Sequence, residues 1–220
     1  MHFGKIIQRA MSTAPKEWEP YWMNYKQFKE ILVDVVEEID RKEGEGDEDI
    51  NITDIDNDKH FFSELAKSLD KVDLFFNKTQ SELYNSVRDL AEKAEKLNTI
   101  PEEERDRQLD ILIGECIRIN GQLVLLEVFA HVNYCGFSKI TKKHDKLTKF
   151  TTQLKFMKNK VNNKRFSDLV ILTQLIKTVA EIYKSLSIMK KNSQVEPLNK
   201  YEHETQQIES SLKETDSLTE

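Results

Sequence analysis

The sequence predicts an all-α fold, and three observations carry that prediction. Apolar residues recur at steps of three and four through most of the 220 residues, the period of a helix with one buried face. Charged residues make up 33% and hydrophobic ones 38%, with six glycines and four prolines, a mixture suited to apolar seams and broad solvated faces. A short proline-containing turn separates the two longest periodic runs, so two long helices are expected to fold back antiparallel. The length corresponds to one domain with or without a tail. The helical domain is assigned to 1–192 and a polar, acidic linker or disordered tail to 193–220, a point from which a further module could follow.

Taken in order, a first helix is expected from Phe3 to Met11. "STAPKEWEP" (12–20) holds two prolines and breaks it. A second helix runs from about Tyr21 to Asp40, with apolar residues at Tyr25, Phe28, Ile31, Leu32, Val35 and Val36. "RKEGEGDEDINITDIDND" (41–58) is acidic and aperiodic, and reads as a surface loop. The strongest helical signal follows: Phe62, Leu65, Leu69, Val72, Phe76, Leu83, Val87, Leu90, Ala94 and Leu97 form a near-heptad stripe that needs a partner helix. "NTIPEEE" (98–104) ends it and starts the next helix, with proline near the first turn and glutamates where the helix dipole favours them. That helix runs on towards "NYCGF" (133–137), where Gly136 is expected to kink or interrupt it. "KNKVNNKR" (158–165) reads as a turn and Phe166 to Lys190 as a last amphipathic helix.

Several functions find no support. Cys116 and Cys135 lie on one expected helical run and cannot easily meet, so reduced thiols and an intracellular protein are expected. The best apolar run, "LVLLEVFAHV" (123–132), is interrupted by Glu127 and is far shorter than a membrane span. "DIDNDKHFFSEL" (54–65) begins like a calcium loop, but Lys59 and Leu65 occupy its glycine and final glutamate positions. There is no glycine-rich phosphate loop, His-Glu-x-x-His or cysteine–histidine constellation. Neither catalysis nor a cofactor or metal is expected.

What remains is charge. "GFSKITKKHDK" (136–146) gathers five basic side chains, counting His144, in a chain of formal charge −6. Between Lys139 and Arg165 ten lysines and arginines face a single acid, Asp145, a local net of +9. On a helix Lys139, Lys142, Lys143 and Lys146 fall within an arc of about 100°, flanked by Ile140 and Leu147. In water two such charges about 6 Å apart repel by only about 0.7 kcal/mol, so a solvated basic face is cheap and physically the plainer reading. Where such a face does bind, lysine suits crowded phosphates better than it suits bidentate carboxylate recognition.

Four ordered blocks resemble one family. "NYCGFSKITKKHDK" is similar to the Asn-x-x-Gly-Phe-x-Lys-Ile-x-Lys-Lys-x-Asp-Lys signature of SPX domains. "MHFGKII" resembles that family's Met-Lys-Phe-Gly-Lys start, "KEWEPYWMNYKQFKEIL" (16–32) its first hairpin, and "FFSELAKSLDKVDLFFNKTQSEL" (61–83) its long helix. The resemblance implies an N-terminal helical hairpin on two long core helices, with smaller helices after them. It implies a receptor for inositol hexakisphosphate or inositol pyrophosphates that senses cellular phosphate status and regulates an attached effector domain or protein partner. It assigns a phosphate cluster to Tyr25, Lys29 and Lys143 and a lysine surface to Lys139, Lys142 and Lys146, with Lys5 and His2 as further candidates. His2 stands where the family usually has lysine, so it adds charge only when protonated. A location on the cytoplasmic face is implied, at a membrane if a further module anchors it. Tyr25 and Lys29, four apart, share a helix face, and a phenol can donate to phosphate while lysines supply charge. The alternatives are a basic helical module for polyphosphate, nucleic acid or anionic membrane, nucleic acid being disfavoured because Phe150 and Phe156 sit at packing spacing, or a helical scaffold.

Overall fold

A computed structural model describes residues 3–45, 51–99 and 101–190 together with Ser210. Among these the structure contains six α-helices and no strand: α1 (Phe3–Thr13), α2 (Tyr25–Gly44), α3 (Asp56–Lys96), α4 (Glu102–Thr148), α5 (Gln153–Asn159) and α6 (Val170–Met189). The all-α expectation holds. The 193–220 assignment, Ser210 apart, falls outside the described residues, as does His2.

The partners along the two long helices fix their direction. Asp58 meets His144, Phe75 meets Phe129 and Lys93 meets Glu115, so α3 and α4 are antiparallel along most of their length. Leu65, Leu69, Val72, Phe76, Leu83, Val87 and Leu90 of the α3 stripe are buried as the spacing predicts. Pro101 sits just outside α4 as its N-cap, donating nothing where helix N–H groups are unpaired in any case. Along α2, Phe28 packs on Phe61, Asp34 O accepts from Asn57 Nδ2, and Glu38 accepts from the N–H groups of Asp56 and Asn57. Thus α2 is antiparallel to α3 and parallel to α4. Helix α6 returns along α4: Phe166 packs near Phe137 at one end and Lys190 pairs with Asp110 at the other.

Several boundaries move. Lys16–Tyr21 forms a 3-10 turn containing Pro20, and α2 begins only at Tyr25, where the Asn24 side chain accepts from Gln27 N–H at 3.1 Å. Helix α2 continues through Gly44 and α3 starts at Asp56, so the expected 41–58 loop is shorter than its composition suggests. A short α5 falls where an unbroken basic stretch leads into a turn, and α6 starts at Val170 rather than Phe166. Gly136 does not interrupt α4, which is continuous from Glu102 to Thr148. The glycine serves a close approach instead: a Cβ there would overlap Met23 Sδ. Met23 is 1% exposed, and it lies just before α2. Gly136 therefore lets the N-terminal hairpin seat against α4, at the helix-propensity cost a mid-helix glycine carries.

Candidate anion-binding site

The start of α2 is tied to α4 by buried contacts. Met23 N–H donates to Asn133 Oδ1 at 2.9 Å, and Asn133 Nδ2 donates to Phe129 O at 2.7 Å. Asn133 is wholly buried, so water cannot replace either bond. Because α2 and α4 run parallel from this tie, and both rise about 1.5 Å per residue, their positions can be matched along the axis. Tyr25 lies within about one turn of Lys139, and Lys29 within about one turn of Lys143. On the other side of the bundle Phe28 meets Phe61 edge-on and Phe61 stacks on His144, which again leaves Tyr25 and Lys29 within about one turn of Lys139 and Lys143.

Each candidate then has a definite environment. Tyr25 is half-buried, its ring edge-on to Phe3 of α1 with centroids 4.8 Å apart. Burial raises its pKa, so the phenol stays protonated and able to donate near neutrality. Its hydroxyl makes no hydrogen bond among the described residues, a core aromatic with its polar end left over. Lys29, Lys142, Lys143 and Lys146 are exposed and form no ion pair or hydrogen bond among the described residues; Lys5 on α1 is the same. Lys139 is half-buried and engaged within the protein. The apolar flank divides: Ile140 is buried, whereas Leu147 is 43% exposed.

His144 is the fifth basic residue of "GFSKITKKHDK", and it is not on the basic face. It is fully buried, stacked on Phe61 at 18° between planes, with Nε2 at 2.6 Å from Asp58 Oδ1. Its other nitrogen lies 3.2 Å from Asp145 Oδ1 and 3.1 Å from Thr152 Oγ1. Asp145 organises the chain beyond α4. Its carboxylate accepts from the N–H groups of Thr152 and Gln153 and from the Thr152 hydroxyl at 2.6 Å. Burial pushes the Asp145 carboxyl up, but these hydrogen bonds, with that to His144, outweigh it and hold the group below its ordinary value. The helix ends at Lys149, whose φ of 63° is left-handed, and the chain turns back so that α5 abuts the lysine-bearing turns.

Asn133, Gly136, His144 and Asp145 are thus the residues whose roles the sequence reading missed. A signal for His144 was present. Phe137, Ile140, Thr141, His144 and Thr148 are buried at steps of three and four, which sets the histidine on the packed face of α4 and the lysines on the other. Elsewhere, neither Cys116 nor Cys135 is in a disulfide among the described residues; burial and the charge of Glu115 push the Cys116 thiol up to about 12, against one backbone hydrogen bond. Among the described residues no helix is long and apolar enough to cross a membrane.

A family model described as SPX domain matches residues 106–160, the stretch of α4 and α5 that carries every lysine candidate of the lysine surface. SPX domain-containing protein 6 of Oryza sativa subsp. japonica is 29% identical over 148 residues, covering 67% of this chain and 54% of that protein. Glycerophosphocholine phosphodiesterase GDE1 of Candida albicans is 32% identical over 161 residues, covering 70% of this chain and 13% of that protein. The chain spans about half the length of these Oryza sativa relatives that it matches. A solved structure, the SPX domain of Chaetomium thermophilum glycerophosphodiester phosphodiesterase 1 in complex with inositol hexakisphosphate, superposes with a TM-score of 0.68 at 26% identity. It covers 85% of this chain and 99% of that one. Sequence signature, relatives and fold agree over the same helices: this chain belongs to the SPX domain family.

Proposed function

We propose that this chain is a receptor domain for inositol polyphosphates, hexakisphosphate or a pyrophosphate, that reports phosphate status to an attached effector domain or a protein partner. The observation that carries the reading is the row of uncompensated cations on α4. Lys142, Lys143 and Lys146 are exposed without acidic partners among the described residues, while elsewhere surface lysines such as Lys59, Lys67 and Lys93 are paired with carboxylates. Lys29 and the Tyr25 hydroxyl, which makes no hydrogen bond among the described residues, stand on α2 within about one turn of the lysine level in this reading. The related Chaetomium thermophilum domain binds inositol hexakisphosphate, a rigid ring of phosphates that such an array would meet at several points at once.

Recognition in this reading is electrostatic. The lysines supply point charges, and the protonated Tyr25 phenol supplies one directed hydrogen bond. No step of chemistry is assigned to the chain, and the effector lies in whatever the domain is joined to or docks with, as in the much longer Candida albicans phosphodiesterase. Lys155, Lys158 and Lys160 continue the exposed basic field through and just past α5, which favours longer polyphosphate chains as additional ligands over a scaffold role. Occupancy regulates a partner only if the ligand binds two states of the domain unequally.

The test is calorimetric titration of inositol hexakisphosphate near physiological salt, with orthophosphate as control and Tyr25→Phe and Lys143→Ala as variants. Saturable one-site binding, far tighter than orthophosphate and weakened by both changes, is expected. Binding no tighter than orthophosphate, or losses that follow total charge wherever a lysine is removed, would reject the reading.

A further inference from the structure

We infer that His144 is doubly protonated in the folded protein, and that this buried imidazolium is a positioning residue for the lysine face. The second half rests on the receptor reading above; the first does not. The argument is a count of protons over four groups. Thr152 Oγ1 lies 2.6 Å from Asp145 Oδ1. A hydroxyl has one proton and an ionised carboxylate has none, so Thr152 donates to Asp145. Its proton is then unavailable to His144, and Nδ1, which faces Thr152 Oγ1 at 3.1 Å and Asp145 Oδ1 at 3.2 Å, faces two acceptors. Nδ1 must be the donor. On the other side Nε2 faces Asp58 Oδ1 at 2.6 Å, a length suited to a charge-assisted bond that also needs a proton.

With Asp58 ionised, neutral imidazole cannot satisfy both sides, because one of its nitrogens carries only a lone pair. The other groups around the ring supply no donor to it. From α3 it meets Asp58, Phe61 and Phe62; from α4, Asp145; from the α4–α5 connection, Thr152. His60 and Lys59 of α3 are exposed, and Lys59 pairs with Asp56. The imidazolium therefore links three segments: the first turn of α3, the last turns of α4 and, through Asp145 and Thr152, the start of α5. Lys142, Lys143 and Lys146 stand on those turns of α4. When the ring loses a proton, a lone pair is turned towards a carboxylate or towards Thr152, and the clamp on the end of α4 weakens. Polyanion binding and ring protonation then favour each other, and reciprocally so.

The experiment uses the full chain. Nitrogen-15 spectra of the His144 ring, assigned by its loss in His144→Gln, are followed from pH 6 to 9 with and without inositol hexakisphosphate. Amide shifts of Lys142, Lys143 and Lys146 are read in the same samples. Two protonated-type ring nitrogens at pH 6.5, lysine amides that move with the ring's titration, and a ring proton held to higher pH by the ligand are expected. The wild-type to His144→Gln affinity ratio, in which the ligand's own titration cancels, should fall by about threefold or more as the ring loses its proton. Asp58→Asn, which keeps an acceptor and removes the charge, should release the ring proton at lower pH. A single protonated ring nitrogen at pH 6.5, with the proton on Asp58 or absent, overturns the assignment. A doubly protonated ring whose titration moves neither the lysine amides nor the affinity ratio overturns the positioning role. Should wild type fail to bind the ligand, the receptor reading falls and the positioning role with it, while the ligand-free ring spectra still decide the protonation.

Discussion

Replacing Asn133 by alanine should destabilise the domain by about 1–3 kcal/mol, and the estimate can be built from its surroundings. The lost acceptor leaves Met23 N–H without a partner. Met23 is 1% exposed and Asn133 fully buried, so no water reaches the orphaned donor, a penalty of about 1–3 kcal/mol. Removing the amide group opens roughly 30 Å³, adding roughly 0.7 kcal/mol at about 24 cal/mol per Å³. Alanine returns up to about 0.7 kcal/mol through its better helix propensity, which cancels the cavity and leaves the orphaned donor as the net cost. In a domain of this size each kcal/mol shifts Tm by about 2–4 °C. Urea melts should show a lower midpoint with an unchanged slope, the signature of lost stability without altered compactness. The same tie sets the height of Tyr25 and Lys29 relative to α4, so inositol hexakisphosphate should also bind more weakly although Asn133 touches none of it. A stability loss below about 0.5 kcal/mol would mean that Met23 N–H finds another partner and that the register derived from this bond is wrong.

Other outcomes follow from single residues. Gly136→Ala should destabilise by about 1–2 kcal/mol, because Met23 must move within a packed core and the displacement outweighs the helix propensity gained; chemical denaturation measures it. The acid limb of stability should depend on Asp145. Its folded pKa is depressed, so its contribution is fully present above the ordinary carboxyl range near about pH 4 and is lost as pH falls through the lower folded value; Asp145→Asn should flatten that limb of a pH series of urea melts. At pH 8 a small alkylating reagent should modify half-exposed Cys135 well before buried Cys116, whose thiol is pushed up to about 12, as mass spectrometry of labelled peptides would show.

The sequence predicted the long helices because each buries one stripe along one partner, and a period of three and four is enough to specify that. Phe62 through Leu97 and the turn at Pro101 leave little room for another arrangement. It failed where a residue's role depends on a neighbour far away in the chain. Gly136 reads as a helix breaker by propensity, yet the reason for glycine is Met23, over a hundred positions earlier. Asn133 inside an apolar helix carries no local mark of the backbone N–H it satisfies. His144 was grouped with the lysines by composition, although its spacing from Phe137, Ile140 and Thr148 places it inward. The start of α2 shifted by four residues because Pro20 and the Asn24 cap hold the preceding segment in a 3-10 turn. The site candidates themselves came from a family pattern; composition and spacing alone favoured a solvated face.

The buried residues explain how flexible lysines could serve a selective site. A lysine ammonium ends four methylenes from its Cα and holds no fixed position in water, so selectivity cannot reside in the side chains. It has to come from where the backbone places them. Three polar ties, two buried and one half-buried, bracket the proposed face: Asn133 to Met23 holds α2 against α4, His144 to Asp58 holds α4 against α3, and the half-buried Asp145 to Thr152 and Gln153 holds α5 back against the end of α4. Each is directional, and the two buried ones would orphan a buried group if the helices slid by one residue, whereas an apolar seam tolerates such a slip at lower cost. The lysines would then meet a polyphosphate ring at spacings set by α2 and α4 together, with little of the ordering cost that a loop-borne cluster would carry. It follows that exchanging Lys143 for arginine should weaken binding less than loosening Asn133 does, because charge is kept in the first case and register is lost in the second. Calorimetric titrations of Lys143→Arg and Asn133→Ala under one set of conditions decide the point, and the reverse order would place selectivity in the side chains.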